Sequence, residues 1–350
     1  MSGLSGKVQT VLGCIEPSQL GICHTHEHLS MTYDNYYRPP PSGHEDNVTL
    51  PFKMENLGWI RQYPYSCKAN LRLNDEEANT GIIEELKEFK RLGGGTIVDS
   101  TILGISRDLA FQKRLATETG VNIISSTGYY DAVSHPSNMD AITEEEIDAM
   151  MRNEILVGCE GTDVKCGSIG ELGCSWPLQA NEKKVLRAAA VTQTQLGCPV
   201  IIHPGRGSKA PEEIVRILQE AGGNIGKTVM SHIDRTLHTD EEILEFAKLG
   251  TYLEYDLFGI ETSNYQCNPT VDMPSDGERI RRIQVLFANG FDKVVIAHDV
   301  HTKHRLVRYG GHGFTHILSN VLPQMRRRGV TQEQIDKMLI DNPREWLTFL

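Results

Sequence analysis

The chain has 350 residues, 39% hydrophobic and 23% charged, with 32 glycines; this is material for one large soluble domain and excludes disordered and fibrous classes. Forty-six acidic against 35 basic residues leave a formal charge of −11, so the average surface repels nucleic acid. No run of about 18 apolar residues occurs and residues 1–9 lack the order of a signal peptide, so a cytosolic chain with no membrane partner is expected. The eight cysteines form no C-x-x-C pair and read as small buried hydrophobes, not bridges or a zinc ribbon.

Along the chain, short runs rich in Ile, Val and Thr alternate with longer amphipathic stretches, the pattern of parallel strands joined by crossover helices. The first strand is expected over residues 21–26, closing in His24-Thr25-His26-Glu27-His28. Residues 30–74 follow as one long irregular segment with Pro39, Pro40, Pro41, Pro51, Pro64 and several tyrosines, read as a folded wall or lid over the strand end. Ile82, Ile83, Leu86 and Phe89 then form a helical face, ended by Gly93, Gly94 and Gly95. Strands are expected over 96–100, 122–127, 168–172, 200–203, 228–232, 252–255 and 293–298. Helix signals follow them over 108–119, 143–157, 181–196, 211–221, 239–249, 276–288 and 316–327. Eight such units predict an α/β fold of a single (β/α)8 barrel, a TIM barrel, with residues 1–350 as one domain.

In such a barrel the C-terminal strand ends converge on one mouth. His26 and His28 lie two apart, so both can face into the barrel, with His24 on that side one step deeper. Taken alone, H-x-H reads equally well as a ligand pair or as strand-end histidines satisfied by hydrogen bonds. Glu171 closes the fourth strand, His203 the fifth and His232 the sixth, and Asp299 follows the eighth. Six nitrogen and oxygen donors around one point are too many for a single four-coordinate ion with an open position, and suit two divalent metal ions, zinc before its relatives. Glu171 is the carboxylate placed to bridge them, and ions so held acidify water for attack at neutral pH. Asp299 is within reach to carry the proton, as the catalytic residue. His301 and His304 either carry protons at the mouth or pack there.

The run of His26-Glu27-His28, Gly170-Glu171-Leu172-Gly173-Cys174-Ser175, His203-Pro204-Gly205, His232-Ile233-Asp234-Arg235 and His298-Asp299 resembles the phosphotriesterase family of the amidohydrolase superfamily, its vertebrate branch above all, over nearly the full length. The resemblance implies that His26, His28 and Asp299 hold the more buried metal, His203 and His232 the more exposed one, and that a carboxylate bridges both. Founding members of the family bridge with a carbamylated lysine where this chain has Glu171, and Lys165 lies too early in the strand to replace it. The phosphate-ester members also use an acid where Arg235 stands, and a histidine that Asp256-Leu257-Phe258-Gly259 does not offer, so organophosphate hydrolysis is not expected.

The resemblance implies an amide hydrolase for small N-acyl compounds, N-acetyltaurine in particular, which it would cleave to taurine and acetate. A lactone, ester or phosphotriester hydrolase with the same metals is the alternative, and a non-catalytic metal-binding scaffold the alternative from another class. A small anionic N-acyl substrate would want a cation near the metals. Arg206 and Arg235, each three residues beyond a metal histidine, either serve it or pair with a neighbouring acid such as Asp234. Tyr129 could donate to a substrate oxygen or simply pack. A homodimer stays open.

Overall fold

The computed structural model describes residues 3–262 and 264–350. A short antiparallel hairpin, β1 (Val8–Thr10) and β2 (Gly13–Ile15), comes first and has no counterpart in the sequence reading. Eight parallel strands then pair in chain order: β3 (Ile22–Glu27), β4 (Gly94–Asp99), β5 (Asn122–Thr127), β6 (Ser168–Gly173), β7 (Val200–His203), β8 (Thr228–Met230), β9 (Tyr252–Tyr255) and β10 (Val294–Ile296). Asp299 N donates to His26 O at 3.3 Å, drawing β10 onto β3. The Glu27 carboxylate reinforces that seam, accepting from His298 N and Val300 N at 3.0 Å each. The expected barrel is therefore present.

Helices wrap the outside. The first, α1 (Met54–Gln62), lies in the long excursion after β3, and α2 (Glu76–Arg91) is the first crossover. Asp75 caps α2 by accepting from Ala78 N, and Ile82, Leu86 and Phe89 bury its inner face. The chain continues through α3 (Leu109–Thr119), α4 (Glu144–Leu156), α5 (Ala180–Leu196), α6 (Ala210–Glu220), the single turn α7 (Ile233–Thr236), α8 (Asp240–Ala247) and α9 (Asp276–Ala288). After β10 come α10 (Leu322–Arg327), α11 (Gln332–Asp336) and α12 (Asn342–Leu347), the last two beyond the final expected helix. Among the described residues no helix is long and apolar enough to cross a membrane.

The two ends of the barrel differ in chemistry. Its lower interior is packed with Cys23, Val98, Ile124, Ile201, Val229 and Val295, and Trp346 of α12 plugs the floor. The indole donates to Val200 O at 3.2 Å. The inward-facing donor side chains collect at the upper mouth, where the strands end.

The excursion over residues 30–74 is more ordered than expected. Met31 and Leu73 exchange backbone hydrogen bonds and Tyr33 N donates to Leu71 O at 2.8 Å, so its two ends form a short antiparallel ribbon. Besides α1 it holds four 3-10 turns. Tyr33, Tyr36 and Tyr65 are buried within it, with Tyr33 and Tyr65 facing the mouth and Tyr36 stacked on Tyr33, so it is a packed wall.

Candidate metal centre

A bulge in β3 decides which way its histidines point. His24 pairs with Ile97 of β4, whereas Glu27 pairs with Asp99, so three steps on one strand match two on the other. His24, expected on the inner face, is turned outward instead. Its ring stands 4.7 Å from that of Phe89 on α2 and 4.8 Å from that of His298. Beyond the bulge, His26 and His28 face the barrel mouth.

There the two oxygens of Glu171 divide the donors into two sets. Oε1 lies 3.3 Å from His26 Nε2 and 3.1 Å from His28 Nε2, and Asp299 Oδ1 joins them at 3.2 Å from His28 Nε2. Oε2 lies 2.8 Å from His203 Nδ1 and 3.4 Å from His232 Nε2, and those two ring nitrogens are 2.9 Å apart. The six residues expected to meet are thus brought to one point, all at most 5% exposed. His232 and Asp299 stand just past the ends of β8 and β10 with φ of 55° and 51°, a left-handed conformation that non-glycine residues adopt at a cost of order 1 kcal/mol and mostly at functional sites.

Carboxylates and hydroxyls behind the rings fix their orientation. Asp256, one residue past β9, accepts from His232 N at 3.1 Å and lies 2.8 Å from His232 Nδ1 and 3.0 Å from His26 Nδ1. Thr101 Oγ1 is 2.9 Å from His28 Nδ1, and Glu254 Oε2 is 3.2 Å from His26 Nδ1. With the rear nitrogen occupied, Nε2 of His26, His28 and His232 is presented to the centre, as metal-binding histidines require. Asp256 and Glu254 were missed in the sequence, although Asp256 obeys the same strand-end rule as the donors.

The electrostatics ask for a cation. Burial opposes ionisation of Glu171 and Asp299, yet the rings beside them, His26 and His203 for Glu171, His301 and His28 for Asp299, hold both carboxyls well below the usual range. Burial would lower His28, but hydrogen bonds to Asp299 and Glu171 outweigh it and lift the ring to about 9. His26 Nε2 is buried with no hydrogen-bond partner. A buried polar atom left so is costly unless something else completes it. Paired N and O donors, an orphaned imidazole nitrogen and protons held for want of other positive charge fit a pair of divalent ions, whose binding would release those protons.

The cavity over this centre is lined by Tyr33, Tyr65, Tyr130, His301 and three arginines, Arg206, Arg235 and Arg305. Tyr130 OH is 3.0 Å from His203 Nδ1 and 3.1 Å from Tyr33 OH. Tyr129 does not line the cavity. It bridges in extended geometry to Leu103 and its ring meets His135, so alternation along the chain sends its neighbour Tyr130 inward in its place. Of the two histidines left open, His301 lines the cavity with Nδ1 2.9 Å from Asp299 Oδ2, whereas His304 pairs with Asn70. Lys165 lines a groove with Leu12 and Cys14, beside the hairpin and away from the centre.

The phosphotriesterase family model matches residues 6–347. The chain belongs to the phosphotriesterase family. Among curated relatives it is similar to the N-acetyltaurine hydrolases of Homo sapiens (57% identical) and Bos taurus (56%), each over 350 residues and 100% of both chains. Among solved structures it is similar to a resiniferatoxin-binding protein from Rhodobacter sphaeroides, at 33% identity and a TM-score of 0.94, covering 99% of this chain and 98% of that one. A phosphotriesterase homology protein from Escherichia coli, with phosphate in its active site, matches at 25% identity and a TM-score of 0.75, covering 94% of this chain and 99% of that one. Within the phosphotriesterase family, then, this chain carries Glu171 as the carboxylate that faces both donor sets.

Proposed function

We propose that the chain, a hydrolase of the phosphotriesterase family, cleaves the amide of small anionic N-acyl compounds, N-acetyltaurine first among them, to the amine and the carboxylic acid. The observation that carries this reading is the full-length similarity to N-acetyltaurine hydrolases, joined to a centre that holds all six donors. His26, His28 and Asp299 would hold one divalent ion, His203 and His232 the other, and Glu171 both; imidazole and carboxylate make zinc the first choice. Such a pair, when bound, supplies Lewis acidity that activates water and polarises a carbonyl.

The remaining steps belong to side chains. Asp299 takes the proton of the attacking water on a carboxylate oxygen and delivers it to the departing amine nitrogen. His301 Nδ1, 2.9 Å from Asp299 Oδ2, steadies that carboxylate, and its Nε2 lies 3.0 Å from Tyr65 OH on the excursion wall. Tyr33, Tyr65 and Tyr130 exclude bulk water from the reacting amide. Three arginines at the cavity, none with a carboxylate within 4 Å among the described residues, favour an anionic substrate over a neutral one. A cytosolic location is part of the proposal and rests on eight cysteines that carry no disulfide.

The test is taurine release from N-acetyltaurine by zinc-loaded protein, run beside a lactone, an aryl ester and a phosphotriester. Turnover of the amide well above the others is expected. Turnover of a lactone or ester alone would replace the reading with the other hydrolase class, and none at all would leave a metal-binding scaffold.

A further inference from the structure

Three arginines line the cavity, and their hydrogen bonds separate their roles. Arg235 is 3% exposed, with Nη2 at 3.2 Å from both His203 Nε2 and Pro204 O, and Nη1 at 3.3 Å from Thr236 Oγ1. It stands behind a metal-facing ring. Arg305 is 6% exposed, with Nη1 donating to Asp299 O at 2.7 Å and reaching His301 Nδ1 at 2.6 Å. It braces the loop that carries Asp299. Arg206 differs, being half-buried with only Nε engaged, which donates to Tyr265 OH at 2.7 Å. Among the described residues neither terminal nitrogen of Arg206 has a hydrogen-bond partner, and no carboxylate lies within salt-bridge distance.

The backbone that presents Arg206 is held tightly on both sides. A Cβ on Gly205 would come within 2.5 Å of Ser175 C, and one on Gly207 within 2.4 Å of the Trp176 ring. Only glycine allows the loop to press so closely on the segment after β6, so the position of Arg206 is set by packing. A guanidinium fixed through Nε, with two free parallel N–H donors at a cavity wall, matches the fork that carboxylates and sulfonates accept.

We infer that Arg206, oriented by Tyr265, recognises the anionic end of the substrate and makes the site selective for N-acyl compounds whose amine half carries a sulfonate or carboxylate. The inference rests on the N-acyl hydrolase reading and adds to it the residue that sets specificity. Arg235 and Arg305 are positioning residues, and Tyr265 positions Arg206.

Arg206→Ala, Arg206→Lys and Tyr265→Phe are compared with wild type on N-acetyltaurine and on N-ethylacetamide, which keeps the acyl group and the two-carbon spacing but lacks the charge. Arg206→Ala should lower kcat/KM for N-acetyltaurine roughly 100-fold, mainly through KM, with a loss of no more than about threefold on the neutral amide. Arg206→Lys should keep part of the preference, and Tyr265→Phe should raise KM for the anion alone, with kcat held. Equal losses on both substrates would overturn the inference. If wild type turns over neither amide, the hydrolase reading fails, and the inference is then read from calorimetric binding of ethanesulfonate to the zinc-loaded protein. Binding lost in Arg206→Ala upholds it, and binding unchanged overturns it.

Discussion

Two buried clusters of histidine and carboxylate lie back to back across the wall of this barrel, and they do opposite things with the same residue types. Inside are His26, His28, His203 and His232 around Glu171 and Asp299; outside are His24, His298 and the half-buried His316 around Glu27 and Asp276. Outside, the acids are saturated from within the protein. Glu27 accepts from His298 N, His298 Nδ1 and Val300 N, and Asp276 from Gly259 N, His316 and Arg279. Inside, hydrogen bonds engage the rear nitrogens of three rings and leave the front ones converging. A cluster whose acids are satisfied in this way is a latch. One whose lone pairs point at a shared space is a place for a cation.

That contrast can be broken at either end. The largest effect is expected inside, where His26→Ala or Asp299→Asn should reduce amide turnover by about 10³-fold or more, with loss of a metal equivalent on elemental analysis. Near-wild-type rates in either would contradict the roles assigned to them. Arg235→Ala should cost about tenfold in kcat/KM on charged and neutral amides alike, since it acts through His203. A loss confined to the charged amide would instead make Arg235 a substrate contact. On the outer face Glu27→Gln should cost about 2 kcal/mol of stability in a denaturant titration, because it weakens three hydrogen bonds at the β10–β3 seam, while the metal content stays at its wild-type value. The smallest effect belongs to His24→Leu. Both nitrogens of His24 are buried without partners, so an apolar side chain of similar size should shift stability by less than about 1 kcal/mol, in the stabilising direction. A loss of metal in His24→Leu would mean that the two clusters communicate.

Much of this was legible in the residues. The eight strands and the six inward donors follow from apolar runs ending in His, Glu or Asp, because a closed barrel brings every strand end to one place. Alternation along a strand is a local rule, however, and a single extra residue defeats it. The β3 bulge sends His24 outward although it sits two positions from His26. The ribbon that ties residues 31 and 73 has no signal because its partners are far apart in the chain. Trp346 at the barrel floor is likewise set by tertiary packing rather than by any pattern around it.

In the proposed centre one carboxylate, Glu171, would serve both cations. Metal content of the purified protein by elemental analysis, wild type beside Glu171→Ala, tests it most directly. Wild type should hold about two equivalents per chain and the variant one or fewer. A single equivalent in wild type, or two retained in Glu171→Ala, would contradict it.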